Sequence, residues 1–179
     1  MKHTIAFTLM LVLFLQSMPA PAAESANGRI KNAKRFLSQK KPDFAFLEYR
    51  ALLKDHPESP AAADAAFGLG EYYFEMRNVA ESAMAFQRLT VKPTDDVSQV
   101  LALTYLLKCA ELSSDEQSIK TYRTQLKKSL ASKKFLMLFG EGRKQQWNSP
   151  FENRFELKEF VDRMEIYRNG SPFYTIEIP

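Results

Sequence analysis

Residues 65–93, AAFGLGEYYFEMRNVAESAMAFQRLTVKP, decide the fold that we predict for this chain. Apolar residues recur at helical spacing on both sides of the polar pair Arg77-Asn78, a pattern typical of two amphipathic helices joined by a tight turn. We therefore predict a helical hairpin of residues 61–76 and 79–90. Gly70 is expected at a close crossing of the two helices, with aromatic side chains filling the gap beside it.

Two further hairpins flank this one, because the same spacing continues in both directions. They pair residues 30–39 with 43–54, and residues 97–112 with 115–130. Asp43 is a candidate N-cap in the first of them, and Ser114 or Asp115 in the second. Prolines fall between the helical segments and not inside them, which favours an entirely helical region up to about residue 130.

The middle hairpin also contains a repeat motif, L-G-x-x-Y followed by A-x-x-x-F-x-x-L. Its positions are Leu69, Gly70, Tyr73, Ser82 in place of alanine, Phe86, Leu89 and a closing proline, Pro93, one residue early. This motif resembles the tetratricopeptide repeat, a helical pair of about 34 residues. The resemblance implies an α-solenoid in which the first helix of each pair lines a concave groove.

The neighbouring hairpins match the motif less completely. The first has Ala33, Phe36, Ala45, Tyr49, Leu52 and Pro57 at motif positions. The third is degenerate, with Cys109 at the tyrosine position and Ser118 at the alanine position. A plain antiparallel helix bundle is the alternative to a repeat array, since it has the same periodicity.

The segment from His56 to Ala66, before the middle hairpin, adds a second resemblance. Its proline, serine and small-residue helix start resemble the periplasmic tetratricopeptide proteins of the outer-membrane assembly lipoprotein and Tol-Pal accessory type. That resemblance covers about residues 26–130 and implies a role in envelope assembly or maintenance. The chain departs from the lipoprotein because no cysteine follows the leader.

Residues 1–22 have the layout of a secretory signal peptide. Lys2 precedes an apolar run over residues 5–15, and Ala20-Pro21-Ala22 fits a cleavage site, with Ala23 as an equal alternative. The apolar run is too short for a membrane span, which needs roughly 20 residues. We therefore expect an exported protein, periplasmic or outside the cell, and the net charge of +4 does not point to a nucleic acid partner there.

The C-terminal residues 140–179 are predicted to form a small α+β appendix. Ser149-Pro150-Phe151-Glu152 is a capping-box helix start, so we expect a helix to about Phe160. Asn169-Gly170 predicts a β-hairpin, with a helix that ends at Gly170 as the alternative. Pro172 suits an exposed edge strand, and that edge could pair with a partner or with a second copy of the chain.

Catalytic and metal-binding patterns are absent from the sequence. His56 is the one histidine of the predicted mature chain, Cys109 is the single cysteine and is expected in the core, and no phosphate loop or nucleophile elbow occurs. We therefore expect no enzyme activity, no cofactor and no metal.

Two surfaces remain as candidate binding sites. The tetratricopeptide resemblance places five residues of one helix face on a partner-binding groove: Asp64, Phe67, Glu71, Phe74 and Glu75. The alternative is that Phe67 and Phe74 are core residues. The second surface is a basic helix face made of Lys120, Arg123, Lys127 and Lys134.

These inferences combine into one prediction. The chain is an all-α protein of TPR-like helical hairpins, with a signal peptide (1–22), a helical domain (23–139) and the C-terminal appendix (140–179). Its predicted function is a non-catalytic protein-interaction scaffold of the bacterial cell envelope that binds a protein or peptide. The alternative is a peripheral binder of anionic lipid or glycolipid through the basic helix.

Overall fold

The computed structural model describes residues 24–91, 95–132, 137–139 and 142–177, and these residues form six helices followed by five strands. The helices are α1 (Ala26–Ser38), α2 (Pro42–Asp55), α3 (Ala62–Glu75), α4 (Val79–Val91), α5 (Asp96–Leu112) and α6 (Glu116–Ser132). The strands are β1 (Met137–Phe139), β2 (Gly142–Asn148), β3 (Arg154–Glu159), β4 (Arg163–Arg168) and β5 (Ser171–Glu177). The predicted signal peptide lies outside the described residues.

The helices pack as three consecutive hairpins, α1 with α2, α3 with α4 and α5 with α6, and each hairpin contacts the next. The three predicted hairpins are therefore confirmed. Of the predicted N-caps, Asp43 was wrong and Asp115 is confirmed. Lys41 and not Asp43 is the N-cap of α2, because Pro42 occupies the first helical turn. Asp115 caps α6 by accepting the amide of Ser118 at 3.1 Å.

The turns of the three hairpins share one geometry. Lys40, Arg77 and Ser114 have left-handed φ angles of 57°, 61° and 54°. In each turn the next amide donates to the carbonyl five residues earlier: Lys41 to Phe36, Asn78 to Tyr73 and Asp115 to Ala110. This is the Schellman closure of a helix C-terminus. Positions 40, 77 and 114 are 37 residues apart in each case, so the helical region is a structural repeat of that length.

The same period appears in the core, where Leu52, Leu89 and Leu126 occupy equivalent buried positions. The close crossing predicted at Gly70 is confirmed, because a Cβ there would lie 2.6 Å from the Phe86 ring.

The structural period also corrects the register that we predicted for the third hairpin. In that hairpin, Ala110 and Ile119 are equivalent to Tyr73 and Ser82. The sequence prediction with Cys109 and Ser118 was therefore one residue out.

The five strands form an antiparallel sheet in chain order. The predicted β-hairpin is confirmed as β4 and β5, joined by Asn169 and Gly170 with φ angles of 52° and 82°. Positive φ at both residues is what a type I′ turn requires. Pro172 lies on β5, an edge strand of the sheet, as predicted.

The predicted helix that starts at Ser149 was wrong. The Ser149 hydroxyl does accept backbone amides, from Phe151 at 3.2 Å and Asn153 at 3.0 Å. It closes a turn instead of a helix because Glu152 has a φ of 63°, which reverses the chain into β3. In β3 the buried side chains Phe155 and Leu157 alternate with less buried ones, which is the period of a strand.

The sheet shares one hydrophobic core with α3–α6. Its buried side chains are Phe155, Leu157, Met164, Ile166 and Ile176, which pack with Phe67, Tyr105 and other residues of α3–α6. The chain is therefore a mixed α and β protein and not all-α, because an antiparallel sheet buries its apolar face on the helices. The predicted boundary after residue 139 divides this sheet, since β1 begins at Met137.

Candidate functional site

The sheet covers the helix face that the sequence predicted as a partner-binding groove. Phe67 is 1% exposed, and its ring centroid lies 4.8 Å from that of Trp147 on β2. Phe74 is half-buried and lies 6.4 Å from Phe173 of β5, again between ring centroids. The chain's own aromatic side chains therefore occupy the space that a partner would need.

Glu71 is at the centre of this covered face and is 0% exposed. Its Oε1 accepts hydrogen bonds from the Tyr105 hydroxyl at 2.9 Å and from Nδ2 of Asn153 at 3.1 Å. The Ser149 hydroxyl lies near this carboxylate, whose Oε2 is buried without a hydrogen-bond partner among the described residues. The Glu71 side chain thus joins α3, α5 and the turn between β2 and β3.

Burial raises the pKa of Glu71 from 4.5 to about 7, because the interior disfavours a charged carboxylate. The nearby Ser149 hydroxyl, the charge of Arg168 and the hydrogen bonds from Tyr105 and Asn153 act in the opposite direction. Near neutral pH this side chain is therefore divided between its protonated and ionised forms.

Two other members of the predicted groove lie at the margins of the sheet. Glu75 is exposed and pairs with Arg168, whose position opposite Phe155 places it on the helix-facing side of the sheet. Asp64 is half-buried and borders a cleft of about 510 Å³ together with Lys34 and Trp147.

The predicted groove therefore needs correction, because Phe67 and Glu71 are not accessible to a partner. The alternative interpretation holds for Phe67, which is a core residue. The physical reason is that the apolar face of α3 and the apolar face of the sheet bury each other, which removes both from water.

The opposite face of α3 borders an open groove, which we call the α2–α4 groove. Leu69 and Tyr73 lie about 200° around the helix from Phe67 and Glu71, since two residues turn an α-helix by that angle. The groove has a volume of about 690 Å³. It is lined by Leu47, Arg50, Ala51, Leu53 and Lys54 of α2, Leu69 and Tyr73 of α3, and Glu81, Met84, Ala85 and Arg88 of α4.

Two apolar side chains of the α2–α4 groove are unusually open to solvent. Leu47 is 53% exposed and Met84 is 67% exposed. They are 37 residues apart and therefore occupy the same position of the structural repeat, where the third hairpin has Thr121. Among the three hairpins, only the first two have an apolar side chain at this position.

The rim of this groove is mainly basic. Arg50, Lys54 and Arg88 are opposed by one acidic side chain, Glu81. Arg50 lies over the Phe46 ring at 5.5 Å. Within the described part of the chain, no carboxylate oxygen lies within 4 Å of the charged groups of these three basic residues.

The second predicted surface, the basic face of α6, is exposed where the structure describes it. Lys120, Arg123 and Lys127 are exposed, and Arg123 lies 3.7 Å from the Glu111 carboxylate. Lys134 falls outside the described residues. The apolar side of α6 is used in the core through Leu126 and Leu130, so its basic side alone is open to a ligand.

Cys109 and His56, whose side-chain types are often catalytic in enzymes, make structural contacts here. Cys109 is buried and its thiol donates to the Ser82 hydroxyl at 3.6 Å, while burial raises the pKa of the thiol. His56 Nε2 lies 2.7 Å from the Glu24 carbonyl oxygen. Over residues 24–91, 95–132, 137–139 and 142–177, no group of three His, Cys, Asp or Glu side chains could hold a metal ion.

None of the helices that the structure describes has the length and apolar character needed to cross a membrane. The edge strand β5, predicted as a pairing site for a second copy, is partly occupied. Lys108 donates to the Phe173 carbonyl at 3.1 Å, and Pro172 removes one backbone donor. Pairing through this edge stays a prediction.

Sequence reasoning missed the α2–α4 groove. The sequence patterns singled out neither Leu47 nor Met84, because apolar side chains of amphipathic helices normally face the core. A signal was present, because both fall outside the motif positions Ala45, Tyr49 and Leu52 and their equivalents in the next hairpin.

Comparison of the chain with protein-family models, with curated proteins and with solved structures finds no significant match.

Proposed function

We propose that the chain is an exported, non-catalytic interaction scaffold of the bacterial cell envelope, of the tetratricopeptide type, with a role in envelope assembly or maintenance. It binds a partner protein in the α2–α4 groove. The observation that carries this proposal is the groove itself, in which Leu47 and Met84 expose apolar surface at equivalent positions of two successive hairpins. Exposed apolar surface of this kind marks interaction sites in soluble domains.

The tetratricopeptide type is supported by the repeated hairpins and by the close crossing of α3 and α4 at Gly70. The structural period of 37 residues exceeds the usual repeat length of about 34, so the repeat is a longer variant in this proposal. The envelope location is supported by the signal-peptide layout of residues 1–22 and by the sequence resemblance around residues 56–66.

Placing the partner on the α2–α4 groove differs from the arrangement that the resemblance implies. In that arrangement the first helix of each pair contacts the ligand. Here the sheet fills that side, with Trp147 against Phe67 and Asn153 against Glu71. The surface that remains for a partner is formed mainly by the second helices, α2 and α4.

A photo-crosslinking experiment in the producing bacterium tests this function. A photoreactive amino acid replaces Leu47 or Met84 in two separate variants, and the fully exposed Val161 of the β3–β4 loop in a third, which is the control. We expect one discrete adduct, with the same envelope protein, from both groove positions and none from position 161. Adducts that are absent, or equal at all three positions, would contradict the proposal.

A second candidate function, the binding of anionic lipid or glycolipid, has support from the exposed Lys120, Arg123 and Lys127. Because the apolar side of α6 is buried, such binding would be electrostatic and would weaken steeply with salt. Co-sedimentation with phosphatidylglycerol vesicles at low and high salt tests it. The variant Lys120→Glu/Lys127→Glu should abolish any sedimentation that depends on this face, and unchanged sedimentation would exclude the face.

A further inference from the structure

The geometry of the α2–α4 groove points to a specific class of partner, and this inference rests on the proposed function. We propose that the groove binds an acidic amphipathic α-helix of a partner protein. The apolar side chains of that helix pack against Leu47, Tyr73 and Met84, and its carboxylates lie opposite Arg50 and Arg88.

The walls of the groove determine the conformation of the ligand. The groove is lined by residues of α2, α3 and α4, whose backbone N–H and C=O groups are bonded within each helix. These walls offer no strand edge, so an extended peptide would find no backbone partner. A helical ligand satisfies its own backbone and contributes only side chains, which is what this surface accepts.

The length of the apolar lining matches a short helical ligand. On α2 the lining runs from Leu47 to Lys54, and on α4 from Glu81 to Arg88. Seven residues of helix rise about 10 Å, so each wall is about two turns long. A ligand helix would place apolar residues at i, i+3, i+4 and i+7 along that length.

The charge of the rim determines the charge of the ligand. Arg50, Lys54 and Arg88 exceed the single Glu81 by two positive charges. None of the three basic groups lies within 4 Å of a carboxylate in the described part of the chain, so they are available to a ligand. Acidic residues on the flanks of a ligand helix would be attracted and basic ones repelled.

A second copy of the chain is a poor occupant by the same argument. The exposed helix face that another copy would offer from α6 is basic, with Lys120, Arg123 and Lys127. Two copies apposed groove to groove would bring their arginines together. The charge pattern therefore favours a different protein.

Designed peptides test the inference on the mature chain. The probe is a fluorescein-labelled helix of leucine at i, i+3, i+4 and i+7 with glutamate on both flanks. The first comparison peptide has lysine in place of every glutamate, and the second has the composition of the probe in scrambled order. We expect the glutamate helix to bind about tenfold more tightly than the lysine helix at low salt, with the difference shrinking at high salt.

Variants of exposed residues locate the binding site without disturbing the core. Met84→Glu and Arg88→Glu should each weaken binding of the glutamate helix by about tenfold. Arg123→Glu on α6 makes the same charge change as Arg88→Glu outside the groove and should have little effect. In the Arg50→Glu/Arg88→Glu variant the preference should reverse toward the lysine helix.

The results of the peptide and crosslinking experiments together separate an error in the class of partner from an error in the binding site. Equal binding of the glutamate and lysine helices, binding of neither, or equal loss in the Arg88→Glu and Arg123→Glu variants would overturn the proposal of an acidic helix. If the photo-crosslinking at positions 47 and 84 still captures a discrete envelope protein, the scaffold function stands and only the class of partner is wrong. If crosslinking fails as well, the groove is not a binding site.

Discussion

The Tyr105 hydroxyl donates a 2.9 Å hydrogen bond to Oε1 of Glu71 and thereby joins α5 to α3 beneath the sheet. The same carboxylate oxygen accepts a hydrogen bond from Nδ2 of Asn153, which lies in the turn between β2 and β3. A carboxylate removed from water costs free energy unless it has such partners. The contact therefore connects the protonation of one side chain with the docking of the sheet on the helices.

Protonation of Glu71 should make stability depend on pH. The folded pKa of about 7 is above the unfolded value of 4.5, so the folded state binds the proton more tightly. The free energy of unfolding should fall by about 3 kcal/mol as pH rises from 4.5 to 7, through this group alone. Urea unfolding at a series of pH values measures the effect.

The variant Glu71→Gln isolates that contribution, since its amide oxygen still accepts from Tyr105 and Asn153 but does not titrate in this range. The difference between the unaltered chain and the variant should grow in favour of the variant between pH 5 and pH 7. A constant difference across that range would show that Glu71 does not titrate as its burial implies.

The sheet and the helices should unfold as one unit, because Phe155 and Tyr105 belong to the same core. Trp147 is the single tryptophan and lies in β2, so its fluorescence reports on the sheet while far-ultraviolet circular dichroism reports on the helices. We expect the two denaturation curves to share one midpoint. Phe155→Ala should lower both midpoints together, with a loss of about 3–5 kcal/mol. Separate midpoints would indicate an independent C-terminal unit.

Gly70→Ala should destabilise the protein, because the added Cβ would lie 2.6 Å from the Phe86 ring. Overpacking of this kind costs about 1–3 kcal/mol, and the better helix propensity of alanine offsets part of it. Chemical denaturation measures the loss. The control variant is Gly142→Ala, since the nearest atom to a Cβ at that position is 3.7 Å away. In the double variant Gly70→Ala/Phe86→Leu the combined loss should be smaller than the sum of the single losses.

Tyr49→Phe should weaken the attachment of the turn between β2 and β3. The Tyr49 hydroxyl donates to the Pro150 carbonyl at 2.6 Å, and without it that partly buried oxygen loses its donor. We expect a loss of about 1–2 kcal/mol in the free energy of unfolding. Tyr72→Phe removes an exposed hydrogen bond to Asp43 and should cost less than about half of that. Equal losses would mean that burial of the bond at Pro150 has no effect.

The helical hairpins could be predicted because their signals are local. Helical spacing, the breaks near Lys40, Arg77 and Ser114, and the small residue Gly70 are all present within a single pair of helices. The hairpin at Asn169-Gly170 was predictable for the same reason, since both residues tolerate positive φ. The failure at Ser149 shows the limit of such signals: the capping pattern occurs, but Glu152 adopts a left-handed φ and the alternation of β3 prevails.

The sequence by itself determined the three helical hairpins, the final β-hairpin and the buried position of Cys109, because each depends on spacing within a few turns of chain. Only the tertiary structure decided which face of α3 is covered. Phe67 is buried by Trp147 of β2, and Glu71 is covered by the turn at Asn153, and both of these segments lie 80 or more residues away in the sequence. Leu47 and Met84, on the neighbouring helices, remain exposed. Helical periodicity marks an apolar face but does not say what covers it, and that depends on contacts between distant segments.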